Sequence, residues 1–425
     1  MPALSTSERR YRPRLIDSSL ARALETAGAV VIEGARATGK TMTALHAARS
    51  HVFLDEPEAQ QALTIAPRSL LDGDTPRLLD EWQVAPELWN LVRRAVDARE
   101  QPGQFILTGS AVPADDATRH TGAGRFLRLR QRTMTWHEKF GSSADGVSIA
   151  SLFDGDHPSA DLQVSIEIDQ LVDQLLRPGF PAMTDLSIEQ SAERLRAYID
   201  DVARTDVHRL ADLRHEPDVI KQLITALARS VASDVTFATL AADVRSFAPA
   251  ITADTVSTYV GLLERLFIVE RQLAWSPKLR SRARVRQSPK LHLVDPALAA
   301  AALGAAPRTL LRDLTTVGTL FESAATHDLT VFASTLGGEV RHYRDSNGKE
   351  IDAVITLPDG RWGAVEIKLG ATQFAAAADG LRGVVEQIDV AAVGAPAFRL
   401  VVTGTGPTLT ADDGTVTAPL QALTP

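Results

Sequence analysis

A glycine-rich segment near the start of the chain carries residue types that bind phosphate. Its consecutive residues are Gly34, Ala35, Arg36, Ala37, Thr38, Gly39, Lys40 and Thr41. An apolar run at 29–32 precedes it and a helix-like stretch follows, so the sequence predicts a loop between a buried strand and a helix. Main-chain N–H groups of such a loop converge on phosphate oxygens, while Lys40 reaches the terminal phosphates and the Thr41 hydroxyl ligates Mg²⁺. We therefore expect ATP and Mg²⁺ as cofactors.

Two adjacent acids, Asp80 and Glu81, stand at the end of the apolar stretch 77–80. With a phosphate loop present, Asp80 is expected to hold the magnesium ion and its water shell, and Glu81 to polarise the attacking water. This pair predicts hydrolysis of ATP in addition to binding. The alternative is an acidic cap on a helix that starts near Pro86.

Two further residues are candidates for the same reaction. Ser110 follows the apolar strand 104–108, where a hydroxyl can sense the terminal phosphate or position water. Arg125 lies in a glycine-containing segment and is a candidate arginine finger, acting in its own chain or across the interface of a homo-oligomer. The alternative for Arg125 is a surface cation at the start of a strand.

A second group of charged residues lies near the C-terminus. Asp352 and the Glu366-Ile367-Lys368 string flank the turn 357–360, which predicts two paired strands. Strand alternation puts Glu366 and Lys368 on one face, where Asp352 can join them. Asp352 and Glu366 would hold Mg²⁺ and Lys368 would polarise water or stabilise the phosphate, with Glu322 as a further ligand or orienting group. The alternative is a half-exposed hairpin with cross-strand ion pairs.

A basic segment at 271–290 contains no acid. Its cations are Arg271, Lys278, Arg280, Arg282, Arg284, Arg286 and Lys290. The preceding pattern predicts helices at 217–231, 236–244 and 253–266 and strands at 267–275 and 289–294, the outline of a winged helix-turn-helix. Cations on or beside the wing, with Trp275 among them, would contact DNA or another nucleic acid. Alternatively, the winged helix packs as a lid and its basic loop meets an acidic domain.

The composition of the chain excludes several classes of protein and several kinds of site. The 425 residues are 44% hydrophobic and 23% charged, as in folded domains, and the net charge of −8 argues against a globally basic nucleic-acid coat. There is no cysteine, which excludes disulfides, thiolate metal sites and a cysteine nucleophile and fits a reducing compartment. No apolar run is long enough for a membrane span. We expect a soluble cytoplasmic protein with no membrane association.

Several stretches resemble a family of prokaryotic AAA-type ATPases whose C-terminal domain, of unknown function, is considered similar to restriction endonucleases. The stretches are 33–41, 79–83, 105–111 and 120–130, and the most specific is Asp80-Glu81-Trp82-Gln83. Segments 259–267 and 293–295 and the C-terminal part also fit. Ala35 departs from the proline usual in that family. The resemblance implies an AAA-type strand order followed by a winged helix.

The C-terminal charged residues resemble the core of the PD-(D/E)xK nuclease superfamily. Ile351 stands where that pattern has proline. The predicted fold class is α/β, with a P-loop ATPase parallel sheet, a winged helix-turn-helix and a restriction-endonuclease-like domain. The predicted division is an ATPase domain at 1–140, a helical connector at 141–215, the winged helix at 216–305 and the nuclease-like domain at 306–425.

Three functional hypotheses follow. In the first, a Mg²⁺-dependent ATPase is coupled to DNA binding and to a metal-dependent nuclease-like domain. In the second, a regulatory or scaffolding ATPase has a C-terminal domain that binds nucleic acid or protein without cleaving it. In the third, the chain turns ATP over very slowly and uses it only for assembly.

Overall fold

The computed structural model describes residues 11–111, 123–141, 146–162, 166–211, 216–277, 288–345 and 347–425. Contacts divide the chain into two compact units. The first unit contains the residues up to Thr133, with Phe180–Ala182 and Arg265–Phe267, and the second contains the rest. The four-part division expected from the sequence stays a prediction.

The first unit is built on a five-stranded parallel sheet with the order β2-β3-β4-β1-β5. Its strands are β1 (Ala29–Glu33), β2 (Ser50–Phe53), β3 (Arg77–Asp80), β4 (Phe105–Gly109) and β5 (Phe126–Arg130). Its helices are α1 (Ile16–Thr26), α2 (Lys40–Ala47), α3 (Pro57–Ile65) and α4 (Leu88–Arg99), with 3₁₀ turns at Pro67–Leu71 and Trp82–Val84. The apolar stretch 77–80 forms β3 as expected, and β4 begins one residue after the start of the predicted strand 104–108.

Burial on both faces explains the continuous apolar run of β1. Val31 packs in a cluster with Leu79, Leu107 and residues of α4. Val30 faces the other side of the sheet, in a cluster with residues of α1 and α2. Alternate side chains of a strand point to opposite faces, so a central parallel strand covered by helices on both sides must be apolar throughout. This packing fixes the end of β1, from which the phosphate loop starts.

The second unit begins with short helices and continues to a helical region. The helices are α5 (Trp136–Phe140), α6 (Ile149–Phe153), α7 (Ile168–Leu176), α8 (Ile188–Asp201), α9 (Val207–Leu210), α10 (Pro217–Arg229), α11 (Phe237–Val244) and α12 (Ala253–Arg265). A π-helical turn, Val202–Asp206, joins α8 to α9. The 3₁₀ turn Pro181–Met183, between α7 and α8, begins with two residues of the first unit. Strand β6 (Val147–Ser148) pairs in parallel with β15 (Leu423–Thr424).

Strands β7 (Val269–Gln272) and β8 (Lys290–Leu293) form an antiparallel pair after α12. The succession of α10, α11, α12, β7 and β8 follows the predicted order of three helices and two strands. That order alone does not establish a winged helix, which stays a prediction. Helices α13 (Pro296–Ala302) and α14 (Pro307–Leu310) lead from β8 to the last part of the chain.

A six-stranded mixed sheet with the order β13-β14-β12-β11-β10-β9 completes the second unit. Its strands are β9 (Glu339–Arg344), β10 (Glu350–Thr356), β11 (Trp362–Lys368), β12 (Arg399–Thr403), β13 (Leu409–Thr410) and β14 (Val416–Pro419). The long helix α15 (Leu314–Thr335) precedes the sheet, and α16 (Phe374–Val385) and α17 (Val390–Val393) follow β11, with 3₁₀ turns at Ala371–Gln373 and Leu420–Ala422. Strands β10 and β11 are antiparallel, as the turn at 357–360 predicts.

Candidate functional site

The phosphate loop joins β1 to α2 in the predicted position. Gly34 lies so close to the end of β5 that a Cβ atom there would stand 2.1 Å from the Gln131 carbonyl oxygen. Gly39 has φ +94°, a conformation that favours glycine. The two glycines are therefore required for different reasons, the first by close packing and the second by backbone geometry.

Lys40 opens α2 and is nearly buried. Its Nζ donates a hydrogen bond to the Ala35 carbonyl oxygen at 2.8 Å, so the ammonium lies over the loop. Burial lowers the pKa of Lys40 to about 8, and the charges of Glu81 and Asp80 act in the opposite direction. A desolvated ammonium beside main-chain amides is suited to an anionic ligand.

Two residues outside the glycine-rich motif, Arg14 and Gln131, hydrogen-bond to the phosphate loop. Arg14 Nη1 and Gln131 Nε2 both donate to the Thr38 carbonyl oxygen, at 2.8 and 3.1 Å. Gln131 Nε2 also lies 3.1 Å from Thr43 Oγ1 in α2. Both side chains are buried. They are 24 and 93 residues from Thr38 in the sequence, so no local pattern indicates this role.

The acid pair lies beside the loop, as predicted. Thr41 Oγ1 donates to Asp80 Oδ1 at 3.0 Å, and Thr108 Oγ1 donates to the same carboxylate from β4. Burial raises the pKa of Asp80, whereas these two hydrogen bonds lower it. Thr108 also accepts the Glu81 N–H at 3.1 Å, so one buried hydroxyl positions both acids.

The carboxylate of Glu81 has its own polar partners. Gln83 Nε2 donates to Glu81 Oε2, and Ser110 Oγ lies 3.3 Å from the same oxygen. Glu81 has a left-handed backbone, with φ +56°, which is uncommon for a residue other than glycine. The structure thus brings Ser110 to Glu81, beyond the end of β4.

A cavity of about 370 Å³ opens at the loop. Its lining includes Lys40, Thr41 and Glu81, together with Tyr11 and Arg14 from the segment before α1. The residues fit Mg²⁺ and ATP, because the glycine-lined turn and Lys40 suit phosphate while Thr41 and Asp80 supply oxygen ligands for the metal. The volume is in the range of small-molecule sites.

Arg125 is not brought to this cavity. The Ala29 N–H donates to the Arg125 carbonyl oxygen at 3.1 Å, which places Arg125 at the amino end of the parallel strands. The phosphate loop follows the carboxyl end of β1, roughly 15 Å away at about 3.3 Å per residue. Arg125 Nε instead contacts Asp97 Oδ1 at 2.7 Å. This placement corrects the interpretation of Arg125 as a finger acting in its own chain.

In the second unit, the four charged residues singled out near the C-terminus lie together. Lys368 Nζ is 2.7 Å from Glu366 Oε1 and 3.9 Å from Asp352 Oδ2. Asp352 Oδ2 accepts the Ile367 N–H at 2.8 Å, which ties β10 to β11. Glu322 reaches the group from α15. Burial, followed by the charge of Asp352, raises the pKa of Glu366 to about 7 and raises that of Glu322.

A fifth residue, Lys290, completes this cluster and was not predicted to belong to it. Its Nζ lies 2.8 Å from Glu322 Oε1 and 3.8 Å from Asp352 Oδ1. An ammonium group therefore stands among the carboxylates that were expected to hold Mg²⁺. No group of three or more His, Asp or Glu side chains within the described ranges is arranged to hold a metal ion. In this arrangement the residues do not fit a metal.

Of the basic segment 271–290, the structure describes residues 271–277 and 288–290. Lys290 is buried in the cluster, Arg271 Nε pairs with Glu264, and Trp275 packs against Trp362 in the core beside the six-stranded sheet. Lys290 and Trp275 are therefore not exposed contacts for phosphate, whereas Arg271 is exposed. The remaining cations, at 278–286, lie outside the described residues, so nucleic-acid contact there stays a prediction.

Comparison with known proteins identifies three matching regions. Residues 26–140 match the model of an AAA domain family. Residues 168–309 match a domain of unknown function (DUF8612), and residues 317–423 match another (DUF4143). In the part of the chain that the structure describes, no helix has both the length and the apolar character of a membrane span.

Relatives that match most of the chain have low sequence identity to it. Two uncharacterized proteins, from Mycobacterium bovis and Mycobacterium tuberculosis, are each 26% identical over 359 residues, which is 83% of this chain and 73% of each relative. Among solved structures, the Walker-type ATPase of Pyrococcus abyssi is 14% identical, with a TM-score of 0.40 over 69% of this chain and 96% of that one. The parallel sheet and the phosphate loop of the N-terminal region agree with its match to the AAA domain family and support a P-loop ATPase-like domain there.

Proposed function

We propose that this chain is a Mg²⁺-dependent ATPase that uses Lys40, Thr41, Asp80 and Glu81. The observation that carries the proposal is the shared cavity of Lys40, Thr41 and Glu81, with Asp80 hydrogen-bonded to Thr41. The cavity thus has a loop suited to phosphate and, at Glu81, an acid suited to activating water. Binding without hydrolysis would need only the loop.

Each residue has a role that follows from its placement. The main chain of 34–39 and Lys40 bind and orient the phosphates. Thr41 and Asp80 would hold Mg²⁺, which neutralises phosphate charge when bound. Glu81 accepts a proton from water, and Ser110 and Gln83 orient its carboxylate. Gln131 and Arg14 keep the loop in place.

ATP turnover by the purified full chain tests this proposal. We expect Glu81→Gln to bind ATP with near wild-type affinity but to lower turnover by at least about 100-fold, the scale of a lost general base. Lys40→Ala should lose ATP affinity itself. An Asp97→Asn variant, altered at the exposed partner of Arg125, is the control. Equal turnover in wild type and Glu81→Gln would overturn the proposal.

For the C-terminal domain we propose the second hypothesis, that it binds a partner without cleaving nucleic acid. The position of Lys290 among the carboxylates supports this choice, because the group expected to hold Mg²⁺ already contains a cation. A regulatory or scaffolding ATPase in the cytoplasm is the resulting proposal. DNA contact through 271–290 and a homo-oligomer with Arg125 acting in the neighbouring chain are further expectations.

A nicking assay tests the non-cleaving assignment. Wild type and Asp352→Ala are incubated with single-stranded, duplex and branched DNA in Mg²⁺ or Mn²⁺. We expect no cleavage above background from either protein. Cleavage by wild type that Asp352→Ala removes would contradict the assignment and favour a metal-dependent nuclease coupled to the ATPase.

A further inference from the structure

The C-terminal cluster contains three carboxylates, Glu322, Asp352 and Glu366, and two ammonium groups, Lys290 and Lys368. The two lysines flank Asp352 from opposite sides. Lys290 Nζ lies 3.8 Å from Asp352 Oδ1, and Lys368 Nζ lies 3.9 Å from Asp352 Oδ2. Each lysine also has a closer partner of its own, Glu322 at 2.8 Å and Glu366 at 2.7 Å. Every carboxylate in the cluster therefore faces a cation.

A strand holds Lys290 in this position. In β8, Lys290 and His292 are two residues apart and so share a face. His292 Nδ1 lies 3.1 Å from Ser323 Oγ, next to Glu322 in α15. Lys290 pairs in register with Gln272 of β7, and Gln272 Nε2 donates to the Asp352 carbonyl oxygen at 2.8 Å. The lysine is thus supported by contacts to α15 and to β10.

A cleft borders the cluster at Glu322 and Lys368. This cleft of about 610 Å³ is lined by Glu322 and Lys368 together with residues such as Gly318, Gln373 and Thr405. The described residues that line this cleft do not include Lys290, Asp352 or Glu366, and the side chain of Lys290 is only 8% exposed. A cation entering from the cleft would meet Glu322, whose charge Lys290 already balances at 2.8 Å.

We propose that Lys290 is the built-in cation of this cluster and replaces a divalent metal, so the C-terminal domain is stable without binding one. A buried carboxylate group needs a compensating cation, and a lysine on a strand supplies it permanently. This inference does not depend on ATP hydrolysis. It gives a physical reason for the non-cleaving assignment and can fail separately from it.

Mn²⁺ binding tests the proposal directly. Calorimetric titrations use nucleotide-free, chelator-treated full chain, so any background at Thr41 and Asp80 is common to all variants. We expect wild type and Asp352→Asn to bind the same amount of Mn²⁺. Lys290→Met should gain about one Mn²⁺ per chain, since Glu322 and Asp352 then lack their inner cation. The double variant Lys290→Met/Asp352→Asn should lose that gain.

Lys349→Met is the matched control. Lys349 is an exposed lysine of the same domain, so this variant makes the same charge change outside the cluster and should bind Mn²⁺ like wild type. Lys290→Met should also melt more than about 5 °C below wild type in EDTA and recover in Mn²⁺.

Two results would overturn the proposal. One is Mn²⁺ binding by wild type that Asp352→Asn removes, which can be measured even if Lys290→Met does not fold. The other is a folded Lys290→Met that gains no Mn²⁺. If wild type binds Mn²⁺ at Asp352 but cuts no DNA, the inference on Lys290 fails while the non-cleaving assignment stands. Cleavage that requires Asp352 would remove both.

Discussion

Thr41 Oγ1 donates to Asp80 Oδ1 at 3.0 Å across 39 residues of sequence, and this bond joins the start of α2 to the end of β3. Strand β4 lies between β1 and β3 in the sheet. Thr108, at the end of β4, donates to the same carboxylate and accepts the Glu81 N–H. The middle strand therefore sets the position of both acids relative to the phosphate loop.

Thr108→Val keeps the shape of the side chain and removes the hydroxyl. The Glu81 N–H, whose hydrogen bond is partly buried, then loses its acceptor, so we expect a loss of about 1–3 kcal/mol of stability. Turnover should fall more than ATP affinity, because the loop and Lys40 are unchanged. Steady-state kinetics and nucleotide titration separate the two effects. Thr64→Val, at an exposed helix position, is the control, and an unchanged turnover number in Thr108→Val would contradict the positioning role.

Gly34→Ala tests the close approach of the loop to β5. The new Cβ would meet the Gln131 carbonyl oxygen, a backbone atom that cannot move alone. We expect a loss of about 1–3 kcal/mol from overpacking and weaker ATP binding, since Gln131 also holds Thr38. Thermal unfolding and nucleotide titration measure the two consequences.

Gly380→Ala is the matched control for Gly34→Ala. Gly380 lies in α16, and a Cβ atom added there would have no neighbouring atom within 4 Å. The methyl group of alanine therefore fits and should stabilise the helix by about 0.5–1 kcal/mol. Opposite signs for the two substitutions would support the packing argument. Equal small effects would mean that the loop can shift away from β5.

Much of the phosphate-binding site could be predicted, because each of its parts is a short continuous stretch of the sequence. The apolar run before Gly34 and the acids after 77–79 each indicate their own strand and loop. Arg14, Gln131 and Lys290 could not be found in this way, because each acts on a residue far away in the chain. The position of Arg125 could have been foreseen, since a residue before a parallel strand lies at the sheet edge opposite to a loop that follows one.

The basic segment shows a different limit. Composition gives the number of charged side chains but not the direction in which each one points. The alternation of side chains in β8 places Lys290 toward α15. The same applies to Trp275, whose partners Trp362 and Tyr343 come from the six-stranded sheet. Of the two described cations of 271–290, Arg271 is exposed and Lys290 is buried, a difference that composition alone does not predict.

ATP affinity should depend on pH through Lys40. Its pKa in the nucleotide-free protein is lowered to about 8, mainly by burial. Phosphate contact favours the protonated ammonium, so bound ATP raises this pKa, and above pH 8 binding must take up a proton. The dissociation constant should then rise by up to about ten-fold per pH unit, while it should be flat below about pH 7.5.

Titrations of a fluorescent ATP analogue between pH 7 and 9.5 measure this effect. In Lys40→Arg the guanidinium stays charged over the whole pH range. The ATP affinity of this variant should therefore not depend on pH, even though the different side-chain geometry changes its value. A flat wild-type profile up to pH 9.5 would show that the ammonium of Lys40 is not the group that meets the phosphates.

The last prediction concerns the interaction free energy between Lys290 and Glu322. Lys290→Met leaves Glu322 and Asp352 without their inner cation and should destabilise the second unit by about 3–5 kcal/mol, the cost of breaking a buried ion pair. Adding Glu322→Gln removes one of the uncompensated charges. The double variant should therefore be more stable than the sum of the two single losses, with a coupling of about 0.5–3 kcal/mol.

Calorimetric unfolding in EDTA, with all four members of the cycle, measures this coupling. Lys349→Met and Glu386→Gln form the control cycle, since both residues are exposed and should give additive, small changes. Additive losses at Lys290 and Glu322 would mean that the two side chains are held by separate contacts. In that case Lys290 would stabilise β8 through packing, and the carboxylates would need another cation.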